Sequence, residues 1–315
     1  MSVRDTVRED ELIALDMRRS RRKWRLLAFV FLALALVVLV ARLSWGMQTG
    51  VEDQIARVRI DGVIATDASR LAALNRLGEA DHVKAVIVAI NSPGGTTAGG
   101  EELYEALASL RAKKPVVAVI HELGASAAYM TAISSDRIFA RRLSIVGSIG
   151  VLYQHINAGG LMETIGIDID KVATGPLKAE PDFNEPLQGA ARQSLQTLVD
   201  DSFEWFVDVV AERRGMARAV VLELADGRIV TGRMAVANGL IDAIGSETEA
   251  IAWLEAERDI AEDLPVRTHF PVAKTELERL LNVVGADLKS AVGFGAGAGM
   301  TLDGLISLWQ FDVSL

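Results

Sequence analysis

Two short apolar runs constrain this chain more than any other feature. Residues 83–91 read VKAVIVAIN and residues 115–121 read PVVAVIH. Both are nearly continuous in apolar residues and rich in Val and Ile, the composition of a strand covered on both faces. Between them GEELYEALASLRA (100–112) places Leu103, Leu107 and Leu110 on one helical stripe. The same alternation extends in both directions. IARVRI (55–60) reads as an entering strand closed by a turn at Asp61-Gly62, and a short helix is expected from near Ser126. A strand should end near Ala140, with another over Ile149 to Ile156, then a helix over 161–166 and a strand over 167–173. A long amphipathic helix follows from about Pro186 to Arg214, carrying Leu195, Leu198, Phe203, Phe206 and Val210 and stopping at Gly215. Its apolar face must meet the sheet of its own subunit or a neighbouring subunit. Strands separated by helices predict right-handed crossovers and a mainly parallel sheet, an α/β fold.

The amino-terminal end obeys different rules. Residues 26–41 (LLAFVFLALALVVLVA) are apolar without a break, flanked by Arg25 and Arg42 and by Trp24 and Trp45. With those flanks the segment reaches about 20 residues, or roughly 30 Å of helix, enough to cross a bilayer. The cluster Arg18, Arg19, Arg21, Arg22, Lys23 and Arg25 marks its cytoplasmic side, and the RLSWGMQ that follows offers no small-x-small cleavage site. The expected organisation is a cytoplasmic basic segment (1–23), a transmembrane signal-anchor (24–45), an extracytoplasmic α/β domain (46–260) and a carboxy-terminal extension (261–315). The protein would sit in the inner or cell membrane, with the lipid bilayer as a partner. Within the extension a helix is possible over 274–284, GFGAGAG (293–299) reads as a hinge or disordered stretch, and LDGLISLWQFDVSL is apolar enough to dock or to brush the lipid.

Beyond residue 25 there are twenty-five basic and thirty-seven acidic residues, a formal −12. That charge, without any aromatic-interleaved basic run, argues against nucleic acid as a partner. The absence of cysteine rules out thiol nucleophiles, disulfide frameworks and cysteine zinc sites. No cofactor or metal is expected.

Three stretches carry chemistry. Asn91-Ser92-Pro93-Gly94-Gly95-Thr96-Thr97 follows a buried strand, and its glycines allow backbone N–H groups to approach an anion or oxyanion; the same residues also suit a plain turn before a helix. In Gly124-Ala125-Ser126-Ala127-Ala128-Tyr129, small neighbours permit a sharp strand-to-helix turn that displays the Ser126 hydroxyl, or else Ser126 is an ordinary N-cap. A serine nucleophile needs a base, and the four histidines, His82, His121, His155 and His269, fit a triad poorly: His121 reads as packed or turn-capping, and His155 is the least dismissible of the others. Lys178, in Thr174-Gly175-Pro176-Leu177-Lys178-Ala179, could replace histidine if burial favours its neutral amine, or could be a solvated loop lysine.

Taken together, Asn91 to Gly95, Gly124 to Tyr129, Gly147-Ser148-Ile149-Gly150-Val151 and Gly175 to Lys178, with Asp226 to Gly232 and Ala237 to Asp242 behind them, resemble the S49 serine protease family, the signal peptide peptidases, in its single-domain bacterial form. The resemblance spans about 55–245. It implies a crotonase/Clp-protease-like fold and a Ser126–Lys178 dyad, with an oxyanion hole from Gly94 or Gly95 and Ala127. It also implies a ring-like homo-oligomer with shared sites that degrades cleaved signal peptides and other short or unfolded polypeptides. The chain departs from the family pattern where two glycines commonly follow the serine (here Ala127 and Ala128) and where a hydroxyl or acid commonly follows the lysine (here Ala179). A catalytically silent scaffold and a crotonase-type acyl-coenzyme A enzyme are the competing classes.

Overall fold

A computed structural model describes residues 24, 27–37, 39, 52–271 and 306–308. The chain divides into two units, residues 1–52 and 53–315. In the first, residues 24, 27–37 and 39 are helical, and Leu27, Phe29, Phe31, Leu32 and Leu36 are all exposed. Among the described residues no helix is long and apolar enough to cross a membrane. The rest of the expected 24–45 span lies outside them, as do the possible helix over 274–284 and the glycine-rich stretch.

The second unit is built on a nine-stranded sheet. Its strands are β1 (Gln54–Ile64), β2 (Val83–Thr96), β3 (Val116–Ala125), β4 (Arg137–Ala140), β5 (Ile145–Gly147), β6 (Ile229–Thr231), β7 (Ala243–Ile244), β8 (Val266–Phe270) and β9 (Ile306–Leu308). The helices are α1 (Ala68–Glu79), α2 (Thr97–Arg111), α3 (Ala127–Ile133), α4 (Gly159–Ile165), α5 (Gly189–Arg214), α6 (Arg218–Leu224), α7 (Gly232–Ala237) and α8 (Glu247–Glu257). The main path runs β6-β5-β3-β2-β1-β8. Pairing is parallel except at β5–β6 and β2–β9. The expected mixed α/β architecture with a mainly parallel sheet is therefore present.

The continuous apolar runs have a physical cause in two cores. Val86, Val88 and Ile90 of β2 and Val116, Ala118 and Ile120 of β3 face one layer with Leu103, Leu107, Met130 and Phe206. Ala85, Ile87, Val117 and Val119 face the other, against Phe139 and the α8 residues Ala250 and Leu254. With helices on both faces, residues 85–90 of β2 and 116–120 of β3 are buried at every position. Tyr129 anchors the first layer: it is fully buried, and its hydroxyl donates to the Leu240 carbonyl at 2.8 Å. Burial pushes the phenol pKa upward.

Several expectations need correction. Asp61-Gly62 does not end β1; the strand absorbs Gly62 (φ +69°) as an irregularity between Asp61 and Val63. Residues 91–96 are not a plain turn before a helix either, since β2 continues through them after a register shift between Ile90 and Ser92. No strand forms over 149–156 or 167–173; these stretches are irregular apart from a single bridge at Leu152, and Ile156, Ile167 and Val172 are exposed. The short strand in that neighbourhood is β5, four residues earlier. The long helix is real but divided in its contacts. Phe206, Val207, Val209 and Val210 enter the core of the same unit, whereas Leu198, earlier in the helix, is exposed.

Candidate active site

β3 and α3 meet at a single residue. Gly124 and Ala125 finish the strand, Ala127 starts the helix, and Ser126 between them has φ 59° and ψ −123°. A residue with a Cβ rarely adopts that conformation, which costs on the order of 1–3 kcal/mol and so must be imposed by its surroundings. The imposition is visible: the Ser126 N–H donates to the Gly147 carbonyl at 2.8 Å, and its own carbonyl accepts from Met130 N–H at 3.0 Å. Although Ser126 occupies the N-cap position, its hydroxyl makes no cap hydrogen bond to α3. The simple N-cap reading therefore fails.

Ser126 opens on a cavity of about 510 Å³. Three other segments supply its walls: Ser148 to Leu152 after β5, Val199, Asp200 and Phe203 on one side of α5, and the turn Ala225-Asp226-Gly227. Ser148, also at positive φ (53°), is held by donating its N–H to the Arg228 carbonyl at 2.8 Å. The α5 and turn residues were not singled out for the site from sequence. Their signal was the i, i+1, i+4 spacing of 199, 200 and 203, which marks one helical face without saying what that face meets.

The glycine stretch lies level with this turn. The last pair of β2 with β3 is Ser92 with Gly124, two residues before Gly94 on one strand and two before Ser126 on the other. At that level β2 is bonded on one edge to β1, with Val63 opposite Gly94 and Ile64 opposite Gly95. Its other edge, the one β3 has left, carries β9 antiparallel: Leu308 opposite Gly94, Ser307 opposite Gly95 and Ile306 opposite Thr96. The site edge of the sheet thus accepts an extended strand, here supplied by the chain's own carboxy-terminal extension. Of the two fates open to that apolar segment, docking describes its residues 306–308.

Gly94 has φ +105°, and its N–H donates to Ser92 Oγ at 3.1 Å. Gly95 is fixed by space: a Cβ there would stand 1.7 Å from the Ile64 carbonyl oxygen, so β1 and β2 could not remain paired. Gly95→Ala should destabilise the protein by about 3 kcal/mol or more, read as a lowered urea midpoint. A variant within about 0.5 kcal/mol of the parent would refute this tight approach as a structural requirement. Ala127 is fully buried, and its N–H, at the first position of α3, has no carbonyl four residues back within the helix.

Lys178 stands apart. It is exposed, in a turn where its N–H donates to the Gly175 carbonyl at 3.1 Å, and it is not among the residues around the cavity at Ser126. Nearby, Lys171 bridges Glu180 and Asp182 at 2.5 Å each. Leu152, Ile156, Leu161, Ile165, Val172, Leu177 and Phe183, all in the stretch leading to and just past Lys178, are exposed. Of the expected site residues, Ser126 is among those around the cavity and Ala127 follows it in the chain, whereas Gly94, Gly95 and Lys178 are not among the lining residues. Neither histidine considered takes the place of Lys178. His121 lies 3.7 Å from Glu247 Oε1, and exposed His155 bonds the Glu185 carbonyl at 2.9 Å.

The chain is similar to a peptidase family and to proteins named as proteases. The sequence model of peptidase family S49 matches residues 108–261. A protein of Synechocystis sp. named as a protease is 37% identical over 211 residues, covering 66% of this chain and 76% of its own. One from Methanocaldococcus jannaschii, also named as a protease, is 33% identical, covering 74% and 72%. An Enterococcus faecium protein named as a signal peptide peptidase is 31% identical, covering 66% and 65%. Among solved structures, a ClpP1 variant from Listeria monocytogenes aligns with 60% of this chain and 91% of its own at 15% identity and TM-score 0.41. With two relatives above 30% identity matched over more than two thirds of their length, the chain belongs to peptidase family S49 and is a serine peptidase.

Proposed function

We propose that Ser126 is the nucleophile and Lys178 the general base of an endopeptidase that cleaves extended polypeptides, including released signal peptides. The observation that carries this reading is the strained turn at Ser126 that opens on a cavity, and a β2 edge that accepts an antiparallel strand supports it. A peptide lying where β9 lies would be held by main-chain hydrogen bonds that are indifferent to sequence. Its scissile carbonyl could then be attacked by Ser126 Oγ. The neutral Lys178 amine would take the hydroxyl proton and return it to the leaving amine as the C–N bond breaks; a water molecule would then cleave the acyl-serine by the same route in reverse. The Ala127 N–H and the Gly94-Gly95 step, with Gly94 exchanging its bond to Ser92 for the oxyanion, are the proposed donors, each worth about 3 kcal/mol in comparable sites.

A lysine acts as base only where water is excluded enough to favour the neutral amine. Among the described residues of one protomer the loop around Lys178 is exposed and has no such walls, and the apolar residues around it are exposed as well. Both features support a ring-like homo-oligomer in which Lys178 of one copy closes on Ser126 of the next. The basic cluster at 18–25 and the apolar run at 26–41 support a single membrane anchor with the catalytic unit outside the cytoplasm.

A fluorophosphonate probe tests the nucleophile directly. It should label the full-length protein once, at Ser126, and labelling should be lost in Ser126→Ala. Labelling at another serine, with Ser126 unmodified, would overturn the assignment.

A further inference from the structure

The cavity beside Ser126 has a chemical asymmetry that the proposed cleavage does not use. Most of its wall is apolar: Val151, Leu152, Val199, Phe203 and Ala225. Two carboxylates, Asp200 and Asp226, also line it, and they are not equivalent. Asp226 is clasped by Arg228, whose Nε and Nη2 donate to it at 2.7 and 2.5 Å. Those bonds hold its carboxyl down at about 2, so its charge is both permanent and already compensated. Asp200, which is exposed, accepts from a neutral amide, Gln196 Nε2, at 2.7 Å. Among the described residues no cation stands against it.

We propose that this cavity is a side-chain pocket for a lysine or arginine of the peptide substrate, with Asp200 as the specificity-determining carboxylate. The inference rests on Ser126 being the nucleophile. A basic side chain matches the cavity in both its parts: the aliphatic stem lies along Val151, Leu152, Val199 and Phe203, and the charged head reaches the carboxylate. A purely apolar side chain would fill the same walls but strip water from Asp200 without supplying a counter-charge. An acidic one would set two carboxylates face to face. Selection here would act through a residue next to the scissile bond, and the sequence-indifferent strand pairing at Gly94 to Thr96 would hold the rest of the peptide.

The test uses the full-length protein in detergent micelles and fluorogenic peptides varied one position at a time on both sides of the cleaved bond. The parent should select Lys and Arg over Leu and Glu at one position. Asp200→Asn should lower the Lys-to-Leu ratio of kcat/KM at that position by roughly ten-fold, and Asp200→Lys should turn the preference towards Glu. Selection for apolar residues alone at every position would overturn the proposal. So would Asp200→Asn slowing all peptides equally, which would make Asp200 a positioning residue for the catalytic groups. Fluorophosphonate labelling run in parallel separates the two layers. Labelled Ser126 with no basic preference removes the pocket and keeps the nucleophile, whereas loss of labelling in the parent removes both.

Discussion

Ser126→Ala and Lys178→Ala should each lower turnover of a fluorogenic peptide by roughly 10⁴-fold or more, since neither an activated oxygen nor its base has a substitute. His155→Ala should retain most activity. The large effect must not come from unfolding, and the structure explains why it would not. The Ser126 hydroxyl does not cap α3, and alanine carries the same Cβ through φ 59°, so the turn is held by the same backbone bonds to Gly147 and Met130. Lys178 is exposed, and surface changes of that kind usually move stability by less than about 0.5 kcal/mol. Circular dichroism and thermal melting should therefore match the parent. Near-normal turnover by Ser126→Ala would end the dyad assignment whatever the melting curve shows.

The second expectation concerns how the two residues meet. Each dead variant lacks one half of the pair, so co-assembly should restore activity if a site draws Ser126 from one copy and Lys178 from the next. In a random equal mixture about a quarter of the parent activity should return, because half the subunits bring Ser126 and half of their neighbours bring Lys178. The exposure of Lys178 and its separation from the Ser126 cavity motivate this arrangement. Verified mixed oligomers that stay inactive would sink it, as would monodisperse monomers that cleave at full rate. The alternative is a Lys178 loop that folds back onto Ser126 of its own chain on binding substrate.

What could be read from the sequence divides along a physical line. The strands at 83–91 and 115–121 and the helix at 100–112 were legible because their burial is supplied by their own sheet and helices. Residues 149–156 and 167–173 carry apolar side chains too, but among the described residues nothing covers Ile156 and Val172. Apolar content reports a need for burial without saying which surface meets it, and a strand inferred from it was wrong. The end of β2 failed in the opposite direction. Pro93, Gly94 and Gly95 read as a turn before a helix because proline and glycine usually weaken strands. Here Pro93 falls outside the paired register, and Gly95 is what lets β1 approach so closely. At the site, the motifs at Ser126 and at Gly94 and Gly95 were visible locally. The contribution of α5 was not, because Asp200 and Phe203 join it only through the tertiary path of a helix that starts sixty-three residues after Ser126.

The pairing of β9 with Gly94 to Thr96 has a kinetic meaning. A strand carried by the same chain competes at an effective concentration on the order of millimolar, independent of how dilute the enzyme is. Main-chain bonds that any peptide could form are then already matched by Ile306 to Leu308. If substrate is held along this edge as proposed, an incoming chain would gain entry only through something the tail lacks: a side chain that fills the cavity, or a local abundance that exceeds the tether. The occupied edge would then work as a threshold, leaving scarce, poorly fitting segments uncut while admitting those that bind well or arrive in bulk.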